Sequence, residues 1–139
     1  MKNPPKNTAR PIGILIADDE EINYYLLETL LKDVFQLDTN IYHAINGEEA
    51  INIYSTKAKL IDLIFMDIRM PVTDGFSATK QIRDLQSKVP IIAQTAYASN
   101  ENRDKALISG CNELIPKPIS KKLFGKIINK YLNLGVDNF

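Results

Sequence analysis

Four short apolar runs in this 139-residue chain end on side chains that can do chemistry. Ile12-Gly13-Ile14-Leu15-Ile16-Ala17 runs into Asp18-Asp19-Glu20, and Leu60-Ile61-Asp62-Leu63-Ile64-Phe65-Met66 closes on Asp67. Ile91-Ile92-Ala93-Gln94 delivers Thr95, and Leu114-Ile115-Pro116 delivers Lys117. A carboxylate at the mouth of a buried strand is costly to desolvate unless something uses it. In a parallel sheet these four ends share one edge, where open α/β folds bind ligands.

Asp18, Asp19 and Asp67 gathered at that edge would repel one another, and one would take a proton unless a cation neutralised them. Mg²⁺ suits the position, because it prefers oxygen ligands and keeps waters that phosphate oxygens can replace. Helix capping would explain each acid separately but not their convergence. Lys117 offers a point charge to a phosphate. At about 4 Å and an effective dielectric of about 20, that is worth roughly 4 kcal/mol. A cis Lys117–Pro118 bond would turn the chain and aim the ammonium inward; the plain alternative is a surface lysine. Thr95 brings one donor and two acceptors, unless it is simply a β-branched strand residue. Ala96 is small enough to let a backbone N–H approach an anion.

These residues need a scaffold, and the pattern supplies one. Strand-like runs at about 12–17, 39–45, 61–66, 90–94 and 113–116 alternate with segments of helical spacing. Leu26, Leu27, Leu30, Leu31 and Val34 make one helical face. Asn46-Gly47-Glu48-Glu49 reads as a capping box. Asp74-Gly75 leads in a third helix carrying Phe76, Thr79, Lys80, Ile82 and Arg83. A fourth runs from about Ser99 to Ser109 and stops at Gly110. The fifth starts near Ser120 and carries Leu123, Phe124, Ile127, Ile128, Tyr131 and Leu132. Alternation of this kind predicts a doubly wound, five-stranded parallel sheet, flavodoxin-like, with helices on both faces. The expected strand order is 2-1-3-4-5. Pro116 fits, since a strand without its N–H is tolerated at an edge.

Composition narrows the function. Seventeen basic and seventeen acidic residues cancel, so no general attraction to nucleic acid or anionic membrane is expected. The single cysteine, Cys111, excludes an internal disulfide and suits a reducing compartment, hence the cytoplasm. No run is long enough to span a membrane, and no signal peptide opens the chain. Residues 1–10 read as a flexible lead-in, 11–134 as one domain, and 135–139 as a tail or truncated linker. No DNA-binding or catalytic output domain fits in this length.

Asp18-Asp19-Glu20, the segment Met66-Asp67-Ile68-Arg69-Met70-Pro71-Val72-Thr73-Asp74-Gly75, Thr95-Ala96 and Lys117-Pro118 together resemble the receiver domain of two-component response regulators. Asn23 and the run from Gly110 to Ile119 look most like receivers carried on hybrid sensor histidine kinases. The resemblance implies that Asp67 accepts a phosphoryl group. It implies Mg²⁺ held by Asp19, Asp67 and the Arg69 carbonyl, with Asp18 acting through a water. Thr95, the Ala96 N–H and Lys117 would hold the phosphoryl group. The donor would be a sensor kinase's phosphohistidine domain or a histidine phosphotransfer protein. The domain would be a signalling switch that assists its own phosphorylation and dephosphorylation, free-standing or part of a longer protein, such as the cytoplasmic part of a membrane-bound hybrid kinase. One departure stands out: three positions before the lysine, where receivers usually carry an aromatic, this chain has Leu114.

The other candidates have plain readings. His43 is expected to be structural, Cys111 a packed thiol, Tyr97 a loop residue over the site, and Lys122, Lys126 and Lys130 a solvated stripe. Two rival functions remain open on sequence. An aspartyl-nucleophile phosphatase resembling the haloacid dehalogenases would need its acid on the first strand. A receiver-like interaction module would lack the complete acid, threonine and lysine set.

Overall fold

A computed structural model describes residues 10–135. Five parallel strands form one sheet in the order β2-β1-β3-β4-β5. They are β1 (Ile12–Ala17), β2 (Thr39–Ala44), β3 (Leu63–Asp67), β4 (Ile91–Thr95) and β5 (Glu113–Pro116). The helices are α1 (Glu21–Thr29), α2 (Gly47–Lys57), α3 (Gly75–Asp84), α4 (Asn100–Ser109) and α5 (Lys121–Leu132). The expected fold and order are those observed, and Pro116 lies in the edge strand. Most of the expected lead-in and tail, residues 1–9 and 136–139, lies outside the described residues.

The strands read as continuous apolar runs because both faces of the sheet are covered. Alternate side chains point to opposite faces. Ile14, Ile16, Leu63, Phe65 and Ile92 pack with Leu27 and Leu31 of the α1 segment and Phe124, Ile127 and Ile128 of α5. Leu15, Ala17, Ile64, Met66 and Ala93 pack with Ala50 and Tyr54 of α2, Ala78 and Ile82 of α3, and Ala106 of α4.

Local signals set most boundaries. Asn46, Asp74, Ser99 and Ser120 each cap a helix by accepting an N–H three residues on. The Asn46 box is modified: Glu49 returns to the Ile45 N–H at 2.9 Å rather than to that of Asn46. Gly110 ends α4 with φ of +112°. A side chain there would also meet Arg83, since an added Cβ would sit 2.7 Å from its Cγ. Gly75 is needed for closeness: its absent Cβ would fall 2.2 Å from the Asp67 carbonyl oxygen. The loop after Asp67 can therefore fold back onto the strand end.

Two boundaries differ from expectation. After Thr29 the first helix widens into a π-helical stretch, Leu30–Val34. β3 starts at Leu63 rather than residue 61, because Asp62 is otherwise engaged. Its carboxylate takes the Gly13 N–H at 2.9 Å and both terminal nitrogens of Arg10 at 2.9 and 3.0 Å. Arg10, expected in the flexible lead, is thereby pinned to the sheet.

Candidate functional site

Because β1 and β3 are neighbours, the residues that follow them emerge side by side. Asp18 continues the Ile14, Ile16 face and Asp67 the Leu63, Phe65 face. Asp18 is fully buried and Asp67 only 3% exposed. Asp18 Oδ1 accepts the Glu20 N–H at 2.8 Å, and its Oδ2 accepts from Asn23 Nδ2. Asp67 Oδ1 accepts the Arg69 N–H at 3.1 Å.

Lys117 arrives from the far edge of the sheet. Its N–H donates to the Thr95 carbonyl at 2.8 Å, and the Lys117–Pro118 bond is cis, as expected. Its ammonium lies 3.1 Å from Asp18 Oδ2, 3.2 Å from Asp67 Oδ2 and 2.7 Å from Glu20 Oε1. Residues from three strand ends thus meet at one cation.

Burial pushes the Asp67 carboxyl up to about 6, and the Asp18 charge adds to the rise; the Arg69 N–H and Lys117 oppose it. Burial disfavours the charge on Lys117, but the Glu20, Asp67 and Asp18 carboxylates outweigh it and hold the ammonium above the ordinary lysine range. Glu20 is held below the usual carboxylate range by its hydrogen bond to Lys117. Three carboxylates, those of Asp18, Glu20 and Asp67, thus face one ammonium. Asp18, Glu20 and Asp67 each offer an oxygen within 4.8 Å of the others. An oxygen-only donor set of this kind fits a small hard cation.

The expected acids are not all in that group. Asp19 is exposed and adds no oxygen to it. Asp18 follows the strand alternation inward and Asp19 points out, while Glu20 folds back to Lys117 from the head of α1. The Arg69 side chain is also exposed; its N–H, rather than its side chain, touches Asp67.

Thr95 is 2% exposed, and its Oγ1 accepts the Tyr97 N–H at 3.1 Å. The Tyr97 carbonyl accepts from Asn102 Nδ2 at 2.8 Å. The Tyr97 backbone is thus held through its N–H by the end of β4 and through its carbonyl by α4. Ala96 is exposed at the same edge, and the Tyr97 ring is 68% exposed. Leu114 is buried, and its carbonyl accepts from Arg103 at 3.1 Å.

Residues without an expected role complete the surroundings. His43 Nε2 lies 2.9 Å from the Asp18 carbonyl oxygen, and its ring stacks on Tyr24 at 3.9 Å. Both contacts are of the packing kind expected of a structural residue in β2. Cys111 is buried, and burial raises its thiol pKa. Gln94 was legible only as a lone amide in an apolar run; it receives a hydrogen bond from Asn23 at 3.2 Å.

A family model described as "Response regulator receiver domain" matches residues 14–129. The chain belongs to the response regulator receiver domain family. It is 33% identical over 140 residues to the sensor protein GacS of Pseudomonas syringae pv. syringae, covering 97% of this chain and 15% of that protein. Among solved structures it is similar to the receiver domain of the Saccharomyces cerevisiae response regulator Ssk1, in a co-crystal with the histidine phosphotransfer protein Ypd1. That match has TM-score 0.77 and 33% identity, and covers 94% of this chain and 97% of that one. It is also similar to the receiver of the Pseudomonas aeruginosa PAO1 sensor histidine kinase PA1611, which has magnesium in its active-site cleft. There the TM-score is 0.75 and the identity 31%, over 90% of this chain and 99% of that one. The receiver spans between 4% and 15% of the four curated kinases at the head of its relatives, hybrid kinases among them. It is a receiver domain of two-component signalling.

Proposed function

We propose that this receiver takes a phosphoryl group from a phosphohistidine onto Asp67 with Mg²⁺, and that the aspartyl phosphate changes its conformation. One observation carries the reading: the Lys117 ammonium joins Asp18 and Asp67, the buried acids at the ends of two adjacent strands. A carboxylate pair with a lysine at a ligand-binding sheet edge is equipped to bind a cation and a phosphoryl group together.

An Asp67 oxygen attacks the phosphorus in line with the P–N bond of the donor. The P–O bond forms as the P–N bond breaks, and the imidazole nitrogen keeps the electron pair. The transition state is loose, so the protein's work is positioning and charge neutralisation. Asp67, Asp19 turned inward and the Arg69 carbonyl would hold Mg²⁺, with Asp18 acting through a water. The ion supplies positive charge for the developing charge on the phosphoryl oxygens. Lys117, released from Glu20, the Thr95 hydroxyl and the Ala96 N–H hold the same oxygens. Water later removes the group, and Arg69 and Tyr97 at the exposed rim tune that step. The domain assists its own phosphorylation and hydrolysis and turns over no separate substrate.

The donor is a sensor kinase's phosphohistidine domain or a histidine phosphotransfer protein. The family supports this, as does the apolar surface beside the site, where Ile22 and Tyr25 of α1 are 87% and 56% exposed. This domain contacts neither nucleic acid nor membrane. No helix among the described residues is long and apolar enough to cross one. We place it in the cytoplasm, free-standing or within a hybrid kinase. Timed transfer from phosphorylated kinases and phosphotransfer proteins tests the reading. A cognate donor should lose its label to this chain with Mg²⁺ and keep it with a chelator. Transfer unaffected by chelation would contradict the proposal.

A further inference from the structure

Buried amides run behind the acid pair. Asn23, in the first turn of α1, donates through Nδ2 to Asp18 Oδ2 and, at 3.2 Å, to Gln94 Oε1. Gln94 is fully buried and Asn23 is 7% exposed. The register of β3 and β4 sets Gln94 directly opposite Asp67, and the Gln94 carbonyl accepts the Ile68 N–H at 3.1 Å. The chain Gln94–Asn23–Asp18 therefore links β4, α1 and the end of β1, the elements around the proposed acceptor.

Gln94 is a poor choice for packing. Its Nε2 has no hydrogen-bond partner among the described residues. A buried donor without an acceptor destabilises a fold, and an apolar side chain of similar shape does not. Its alternation places it on the face built from Ile16, Phe65 and Ile92, where leucine would be the ordinary occupant. What the amide contributes lies at its other end. The oxygen takes one Nδ2 proton of Asn23, which fixes the rotation of that side chain and directs the other proton at Asp18.

We propose that Gln94 and Asn23 are positioning residues that orient the Asp18 carboxylate for a divalent cation. This rests on the reading of the site as an Mg²⁺-dependent phosphoacceptor. Groups that orient a ligating or water-holding carboxylate commonly set metal affinity although they never touch the ion. Gln94 acts only through Asn23, so the two effects are not additive.

Calorimetric titration of the full chain with MgCl₂ alone, beside thermal melts in chelator, tests this. Gln94→Leu should weaken Mg²⁺ binding by about tenfold while leaving the melting temperature equal or higher. A structural role would move both quantities down together. Asn23→Ala should weaken binding at least as much, and the double variant should match Asn23→Ala within about twofold. Unchanged Mg²⁺ affinity in Gln94→Leu, additive losses, or a fall in both affinity and melting temperature would each overturn the proposal. A wild-type chain that takes up no Mg²⁺ fails differently: it removes the phosphoacceptor reading and this proposal with it.

Discussion

The Lys117 ammonium is closer to the exposed Glu20, at 2.7 Å, than to either buried aspartate. Glu20 thus holds the lysine that the proposed mechanism gives to the phosphoryl group. Glu20 is 64% exposed, and ion pairs with solvent access contribute little, about 0–1 kcal/mol. Breaking this one is therefore a small obstacle. Glu20→Gln should change the rate of labelling by acetyl phosphate by less than about fivefold. Asp19→Asn should weaken Mg²⁺ binding by about tenfold or more, the range seen even for groups one contact removed from a metal. Mass spectrometry and calorimetry read the two effects. Mg²⁺ binding weakened in Glu20→Gln but unchanged in Asp19→Asn would make Glu20 the ligand and remove Asp19 from the set.

The raised pKa of Asp67 makes a prediction about stability. Burial pushes the folded Asp67 carboxyl up to about 6 from its ordinary 3.8. Between those values the folded chain keeps a proton that the unfolded chain has lost. Its contribution to stability therefore falls as pH rises through that window, by on the order of 3 kcal/mol. Asp67→Asn removes the charge and nearly keeps the shape. In chelator it should be more stable than wild type at pH 7, with the gap closing toward pH 4. Urea melts at the two pH values check this, and a gap independent of pH would contradict it.

The switch should run through the fourth loop. Thr95 Oγ1 accepts the Tyr97 N–H, and Asn102 holds the Tyr97 carbonyl. A phosphoryl group that recruits the Thr95 hydroxyl takes it from Tyr97 and loosens this grip on α4. Leu114, buried at the usual aromatic position, has no ring to swing. Beryllofluoride with Mg²⁺ should therefore shift amide resonances most between Tyr97 and Asn102, and less around Leu114. The opposite distribution would refute this route.

Gly110 joins two constraints: φ of +112° and an approach to Arg83 that leaves no room for a Cβ. Arg83 also donates to the Gly110 carbonyl at 2.9 Å and to that of Val89 at 2.7 Å. Gly110→Ala should cost about 1–2 kcal/mol from the left-handed backbone alone, read as a lower urea midpoint, and more if Arg83 is displaced. A neutral result would mean that the turn relaxes freely.

Strand order, caps and the meeting of Asp18, Asp67, Thr95 and Lys117 at one edge were legible because each rests on a local rule. Apolar runs mark the strands, Asn46, Asp74, Ser99 and Ser120 mark helix starts, and alternating β and α fixes the winding. Side-chain direction past a strand end obeys no such rule. That is why Asp19 was expected inside and Glu20 was given no part. Arg10 and Asp62 were missed for a related reason: their pairing joins residues fifty-two apart. Gln94 left a trace, a lone amide in a strand covered on both faces, but its partner Asn23 is known only once α1 is packed.

The most direct test is the mass of the intact chain after acetyl phosphate with Mg²⁺. Wild type should gain one phosphoryl group, located on Asp67 by reductive trapping and peptide mapping, and Asp67→Asn should gain none. Normal labelling of Asp67→Asn, or a label mapped to any other residue of the wild type, would contradict the account.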